Sequence, residues 1–222
     1  MFEFKSKAET LFILDKKLKK SKIPKLVFFT KENFIKNKEK IFTDISKLGV
    51  DKLIVRSSSS SEDQQEFSNA GAFLSISNVD HSNKSALESA ITDVFGSYSK
   101  SGNWNDTSED EQVLVQSMVD KVSMSGVLFT NELSTGAPYY CINYDDKTGA
   151  TDTITSGSAI ESRTLYVLKN KWRDLTSKRF LSLLDAVTEI EELTKLDSLD
   201  IEFTVTKDEK VMLLQVRPLS LK

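Results

Sequence analysis

The stretch 200–218, DIEFTVTKDEKVMLLQVRP, constrains the fold more than any other part of the chain. Two runs rich in β-branched and apolar residues flank a polar tetrad, the pattern of an antiparallel hairpin. With residues 207–210 as the loop, Thr206 faces Val211, Glu202 lies opposite Gln215, and Asp200 lies opposite Arg217. Alternation then puts Asp200, Glu202, Gln215 and Arg217 on one face, and Ile201, Phe203, Val205, Met212, Leu214 and Val216 on the other. Directly opposed side chains have Cβ atoms about 4.5–5.5 Å apart. A carboxylate and an amide oxygen at that spacing suit Mg²⁺, a hard cation that takes oxygen ligands and shares them with phosphates. An arginine beside them can pair bidentately with phosphate. A solvated sheet face with an ordinary Asp–Arg pair has the same pattern, and spacing alone does not separate the two.

The remaining periodicities describe an α+β chain with an antiparallel-rich second half. Ala8, Leu11, Phe12 and Leu18 recur at helical spacing before Pro24, and 25–30 reads as a short strand. A helix over 33–48 turns Phe34, Ile41, Phe42, Ile45 and Leu48 inward, and Gly49 ends it. Residues 52–56 form a strand that runs into five serines, 57–61. A third helix covers 84–98. The polar stretch 99–111 marks a boundary, giving an N-terminal lobe over 1–110 and a C-terminal lobe over 111–222. In the second lobe, 113–119, 125–130 and 163–169 read as strands, and 139–144 and 150–155 as a hairpin. Phe180, Leu184, Val187, Ile190 and Leu193 form a helix stripe.

Composition excludes several classes. The 222 residues, enough for two lobes around a cleft, carry 30 Lys and Arg against 33 Asp and Glu, a net charge of −3, so a strongly basic nucleic-acid binder is not expected. Residues 1–56 hold a local +8 and the rest −11, consistent with lysine-rich solvated helices or with cations set toward an anionic ligand. One cysteine, Cys141, provides neither an internal disulfide nor a multi-thiolate metal site. No apolar run approaches the roughly 18–20 residues that span a bilayer, and the N-terminus lacks the layout of a signal peptide. A soluble, cytoplasmic protein with no membrane partner is expected.

A second feature is VRSSSSSEDQQEFSNAGA, residues 55–72. A strand ending in Arg56 before small hydroxyl residues puts a guanidinium and several donors at a strand tip, a set able to hold phosphate oxygens. Asn69, Ala70 and Gly71 would let the backbone approach a ligand closely. No glycine–lysine–hydroxyl triplet is present, so this is not a P-loop.

Residues 55–72 resemble the VRSSATAED…SFAGQ segment of the ATP-binding domain shared by phosphoenolpyruvate synthase, pyruvate phosphate dikinase and rifampicin phosphotransferase. Arg56, Ser57, Ser58, Glu62, Asp63, Ser68, Ala70 and Gly71 agree. Residues 113–136 resemble that family's VVVQ-M-V…SGV-FT…TG segment, and the last hairpin resembles its DIEW…LQ-RP ending. The resemblance implies a two-lobed ATP-grasp-like domain that clamps ATP and Mg²⁺. It matches Lys7 and Arg56 to residues at the phosphates and Gly71 to the loop over the nucleotide. Gln116, Met118 and Val119 match the adenine-edge hinge, Glu202 and Gln215 the metal ligands, and Arg217 the phosphate arginine beside them. It also implies an ATP-dependent phosphotransferase in which phosphate passes to a histidine on a separate domain and then to a small-molecule acceptor. That acceptor is pyruvate in much of the family, and L-glutamine in a capsule-pathway kinase that the opening SKAETL resembles. The 222 residues would then be one domain of a longer enzyme.

There are departures. Ala72 stands where the family has glutamine, Glu132-Leu133 stands for an Asp-Pro, and the usual Gly-Glu segment of the middle is missing, with 151–157 as a candidate substitute. The one histidine, His81, matches no phosphohistidine motif and reads as an exposed loop residue. The competing expectation is a non-catalytic nucleotide-sensing or interaction module, which a chain retaining every matched charged residue does not favour.

Overall fold

The computed structural model describes residues 2–59, 74–100, 111–147 and 162–219. In order, its elements are α1 (Lys7–Asp15), β1 (Leu26–Thr30), α2 (Lys31–Ser46), β2 (Lys52–Ser59), β3 (Ser75–Asp80), α3 (Lys84–Lys100), β4 (Glu111–Ser117), β5 (Val122–Phe129), β6 (Tyr139–Asp145), β7 (Arg163–Leu168), α4 (Lys178–Thr194), β8 (Leu199–Thr206) and β9 (Val211–Pro218). They divide into two units. One, the arginine unit, comprises Lys5–Glu9 and Pro24–Met118; the other, the hairpin unit, comprises Met1–Phe4, Thr10–Ile23 and Val119–Lys222.

The arginine unit is built on a sheet in the order β1-β4-β2-β3, with every pairing antiparallel. The Thr30 side chain accepts a hydrogen bond from the Asn33 N–H and starts α2. Gly49, at φ +65°, follows its end, a conformation glycine adopts at little cost. α2 and α3 bury Phe34, Ile41, Ile45, Ile91 and Val94 with Phe29, Leu53, Val55, Val113 and Val115 of the strands. Because strand side chains alternate, this assigns Leu53 and Val55 to the core face and leaves Ile54, Arg56 and Ser58 on the other, beside Gln112, Leu114 and Gln116 of β4.

The hairpin unit carries a sheet in the order β7-β6-β5-β8-β9, also wholly antiparallel. α4 packs on β8 and β9 and buries Phe180, Leu183, Leu184, Val187 and Ile190. The strands answer with Ile142, Leu128, Ile201, Phe203 and Leu213, all fully buried; each such side chain contributes about 1.5–3 kcal/mol of hydrophobic stabilisation. Lys22 lies along β9, donating its N–H to Val211 O at 3.0 Å and accepting from Leu213 N–H at 2.9 Å. That pairing occupies an edge that would otherwise be open.

Several expectations are corrected. The division falls between Met118 and Val119 rather than after residue 110, and residues 10–23 join the hairpin unit. The reason is β4, which pairs with β1 and β2 and so belongs to the first sheet, where its polar flank had suggested a linker. The strand expected over 52–56 continues to Ser59, with Ser57, Ser58 and Ser59 all buried; small hydroxyls fit a ladder when their oxygens are bonded. Of the residues at helical spacing before Pro24, Ala8 and Leu11 are buried while Phe12 is 45% exposed, and α1 ends before Leu18. Of the expected hairpin over 139–155, the second strand lies outside the described residues, and β6 pairs with β5 and β7.

Candidate functional site

In the arginine unit, the chemistry-bearing residues collect where β2 meets the start of α1. Ser6 precedes α1 and caps it, its Oγ accepting from the Glu9 N–H at 3.3 Å. Its single hydroxyl proton goes to Gln112 Oε1 at 2.8 Å, the nearer of two acceptors, with Glu9 Oε2 at 3.2 Å. The Ala8 N–H donates to Ser58 Oγ at 2.9 Å. Lys7, the first helical residue and buried, sends its ammonium toward the Ser57 carbonyl at 3.4 Å. Arg56, also buried, sits one residue back on β2. From α3, the Tyr98 hydroxyl accepts from the Ser58 N–H at 2.8 Å and donates to the Gln112 carbonyl at 2.6 Å. Two cations and a line of serines are therefore held together in a low-exposure setting, where a charge-assisted bond to an anion is worth most.

The expected hinge residues fall at the end of β4. Gln116 is fully buried and its Nε2 donates to Pro24 O at 3.4 Å. The Met118 N–H donates to Lys52 O at 3.1 Å, and Met118 Sδ accepts from the Asn78 N–H at 3.2 Å. Val119 begins the last segment of the hairpin unit. Gly71 and the candidate substitute segment 151–157 lie outside the described residues.

In the hairpin unit, Glu202 pairs with Gln215 and Asp200 with Arg217. The route to that register differs from the expected one. Thr206 bonds Lys210, not Val211, leaving a three-residue loop with Glu209 at φ +63°. Val205 then faces Val211, and Phe203 faces Leu213. A bulge at Leu214 shifts the pairing by one residue between Phe203 and Glu202. The two one-residue displacements cancel at the site but not before it: Val211 and Leu213 join the core face, while Met212 and Leu214, expected there, are only half-buried.

Arg217 contacts Asp200 Oδ2 through Nε at 2.8 Å and Nη2 at 2.7 Å. This orients the guanidinium along the same face as Glu202, which is half-buried, and Gln215, which is buried. The polar face extends across the sheet through Ser125 and Thr204, both buried, and Asn143, which accepts from Thr164 Oγ1 at 2.8 Å. One carboxylate and one amide oxygen at a paired position fit Mg²⁺ delivered with phosphates, which needs only one or two protein oxygens. Among the described residues, no group of three or more His, Cys, Asp or Glu side chains gathers to form an all-protein metal cage.

The loop after β5 shows what Glu132 does where an aspartate was expected. Its carboxylate accepts from the Thr135 hydroxyl at 2.6 Å, the Thr135 N–H at 2.8 Å, the Ser134 hydroxyl at 2.8 Å and the Ser134 N–H at 3.1 Å. These bonds, the Thr135 hydroxyl first, hold its pKa down to about 2 from the ordinary 4.5. A depressed carboxylate stabilises its loop above the ordinary value, and that contribution disappears as pH falls through about 2. The Glu132 carboxyl followed by NMR should therefore titrate near pH 2; a midpoint near 4.5 would contradict the loop geometry.

Sequence reading missed Ser6, Gln112 and Tyr98, which fix Lys7 and Ser58. The Ser6-x-x-Glu9 spacing was the available signal for the first. It also missed the ties of Tyr140 and Lys169 to Glu191, at 2.7 and 2.6 Å, which pin β6 and the turn after β7 to α4.

Solved structures share this architecture. The chain aligns with PH1788 from Pyrococcus horikoshii Ot3 at a TM-score of 0.54 and 12% identity, covering 96% of this chain and 88% of that one. The D-alanine-D-alanine ligase of Coxiella burnetii aligns at 0.53 and 10% identity, over 96% and 47%. The VanG D-Ala:D-Ser ligase of Enterococcus faecalis aligns at 0.50 and 14% identity, over 96% and 51%. The chain thus spans about half the length of the ligases it matches. No curated protein matches it. The class is a two-lobed α+β domain of ATP-grasp-like architecture. Residues 16–158, more than half of the chain, match the model for the pyruvate phosphate dikinase, AMP/ATP-binding domain, and the chain belongs to that family of ATP-binding domains. No helix among the described residues is long and apolar enough to cross a membrane.

One functional expectation is corrected by these neighbours. Transfer of phosphate through a histidine on a separate domain conflicts with a fold shared with D-alanine ligases, and the relay is set aside. The one histidine, His81, sits in the turn after β3, its N–H bonded to Asp51 O at 3.0 Å.

Proposed function

We propose that the chain is an ATP-grasp-type catalytic domain that binds Mg·ATP and activates a small-molecule carboxylate by direct phosphoryl transfer, as in carboxylate–amine ligation. The pairing of Glu202 with Gln215 beside Arg217, in a chain of the AMP/ATP-binding family, supports the Mg·ATP part of this reading, and the likeness to D-alanine ligases supports the carboxylate acceptor. Lys7, Arg56 and Arg217 balance the charge of the phosphates, and Glu202 and Gln215 hold the metal. Gln116, Met118 and Val119 border the adenine, and Gly71 is assigned to the nucleotide by the family resemblance alone. Phosphoryl transfer is driven by positioning and charge neutralisation rather than by a protein nucleophile. Bound Mg²⁺ would supply part of that neutralisation.

The acceptor's carboxylate oxygen attacks the terminal phosphorus, the bond from phosphorus to the bridging oxygen breaks, and ADP leaves with the electron pair. An amine then attacks the acyl carbon, phosphate departs with its bonding pair, and the amine nitrogen loses a proton. Hydroxylamine tests the first step, because it captures an acyl phosphate as a hydroxamate. With Mg·ATP, hydroxylamine and a panel of amino acids that includes D-alanine, ADP and hydroxamate should appear together and require the carboxylate. Radiolabel from the terminal phosphate of ATP lodged on His81, with no hydroxamate, would contradict direct transfer.

A further inference from the structure

We infer that Ser58 and Gln112 are positioning residues for Lys7: they clamp the first turn of α1 onto β2 and β4 and so fix where its ammonium points. This rests on the role assigned to Lys7 above.

Three residues around Lys7 are held from outside the helix or by its cap, Ser6 through its hydroxyl and Ala8 and Glu9 through their N–H groups. Ser6 is tied to Gln112 Oε1 at 2.8 Å, the Ala8 N–H to Ser58 Oγ at 2.9 Å, and the Glu9 N–H to Ser6 Oγ at 3.3 Å. The first N–H groups of a helix have no partner within it, so a hydroxyl on a neighbouring strand is what gives this turn a defined seat. Ser58 and Gln112 face each other across β2 and β4, and the Tyr98 hydroxyl bridges their backbones. The seat is therefore itself rigid. All four side chains are buried, so water does not substitute freely when one is removed. A lysine on a flexible four-carbon stem loses much of its effect on an anion when its Cα is no longer fixed. Ser58 and Gln112 thus act through Lys7 rather than on the ligand.

The experiment is calorimetric titration with Mg·ATP and with AMP of the wild type, Ser58→Ala, Ser58→Thr, Gln112→Leu, Lys7→Ala and the Ser58→Ala/Lys7→Ala double variant. Ser58→Ala and Gln112→Leu should each weaken Mg·ATP about fivefold, the scale of a lost cap, with AMP affinity within twofold of wild type. Ser58→Thr keeps the hydroxyl and should restore binding. In the Lys7→Ala background, Ser58→Ala should add nothing further. Wild-type Mg·ATP affinity in both Ser58→Ala and Gln112→Leu, an equal loss for AMP, or full additivity with Lys7→Ala would overturn the inference. Should Ser58→Ala not fold, Gln112→Leu decides by the same criteria. If Lys7→Ala leaves Mg·ATP binding unchanged, the assigned role of Lys7 fails and this inference with it; if Lys7→Ala weakens binding while the two neighbours do not, this inference alone fails.

Discussion

Glu202→Gln should weaken Mg·ATP binding roughly 100-fold, while Glu209→Gln, three residues past the end of the ladder at Thr206, should change it less than twofold. Removing even an outer partner of a bound metal costs about 10–100-fold, and Glu202 is assigned as a direct ligand. The substitution is nearly isosteric, so the sheet is preserved while the anionic oxygen that attracts Mg²⁺ becomes a neutral one. Glu209 lies in the loop at φ +63° and is exposed, so its charge is screened by solvent. The two variants have the same change in net charge, and calorimetry across a magnesium series separates them. Equal magnesium dependence in both would remove Glu202 from the site.

Gly126→Ala should be the most damaging single substitution for the fold. A Cβ built on Gly126 would lie 2.1 Å from Asn143 O and 2.9 Å from Tyr144 Cα. Both are backbone atoms of β6, the partner strand, and neither can swing aside. Overpacking costs about 1–3 kcal/mol where side chains can adjust, and here the ladder itself must open. A loss of about 3 kcal/mol corresponds to roughly 6–12 °C in Tm for a chain of this size. Thermal melts of the purified variant test it, and a Tm within 1 °C of wild type would contradict the β5–β6 geometry.

How far the fold was legible from sequence depends on where a local pattern settled the matter. α3 and α4 carry unbroken apolar stripes, and their existence and faces follow from periodicity alone. The α+β class and the antiparallel second sheet follow from short alternating runs. The lobe boundary did not follow, because β4 is preceded by polar residues and joins β1 and β2 through pairings more than fifty residues apart in sequence; no local pattern encodes a long-range register. The serine run misled for a related reason. Serine is a turn former by propensity, and only the partners supplied by α1, α3 and β4 make Ser57, Ser58 and Ser59 part of a buried strand.

The terminal hairpin is the sharpest case. A four-residue loop predicts Glu202 opposite Gln215, and the structure pairs them, yet the loop has three residues and a bulge at Leu214 makes up the difference. A bulge leaves no reliable mark in a run such as VMLLQV, where either leucine can be the extra residue. The four-residue loop therefore puts Met212 and Leu214 on the wrong face, while the register of Glu202 with Gln215 beyond the bulge is unaffected. The positioning of Lys7 by Ser58 and Gln112 was out of reach for a different reason: it depends on a helix N-terminus meeting two strands from distant parts of the chain.

The central claim is that this chain binds ATP through a metal held at Glu202 and Gln215. Calorimetric titration of the wild-type chain with ATP, first in excess Mg²⁺ and then in excess EDTA, tests it most directly. Saturable one-to-one binding in magnesium that weakens at least tenfold in EDTA is the result expected. ATP affinity that is unchanged by EDTA, or no binding in either condition, would contradict it.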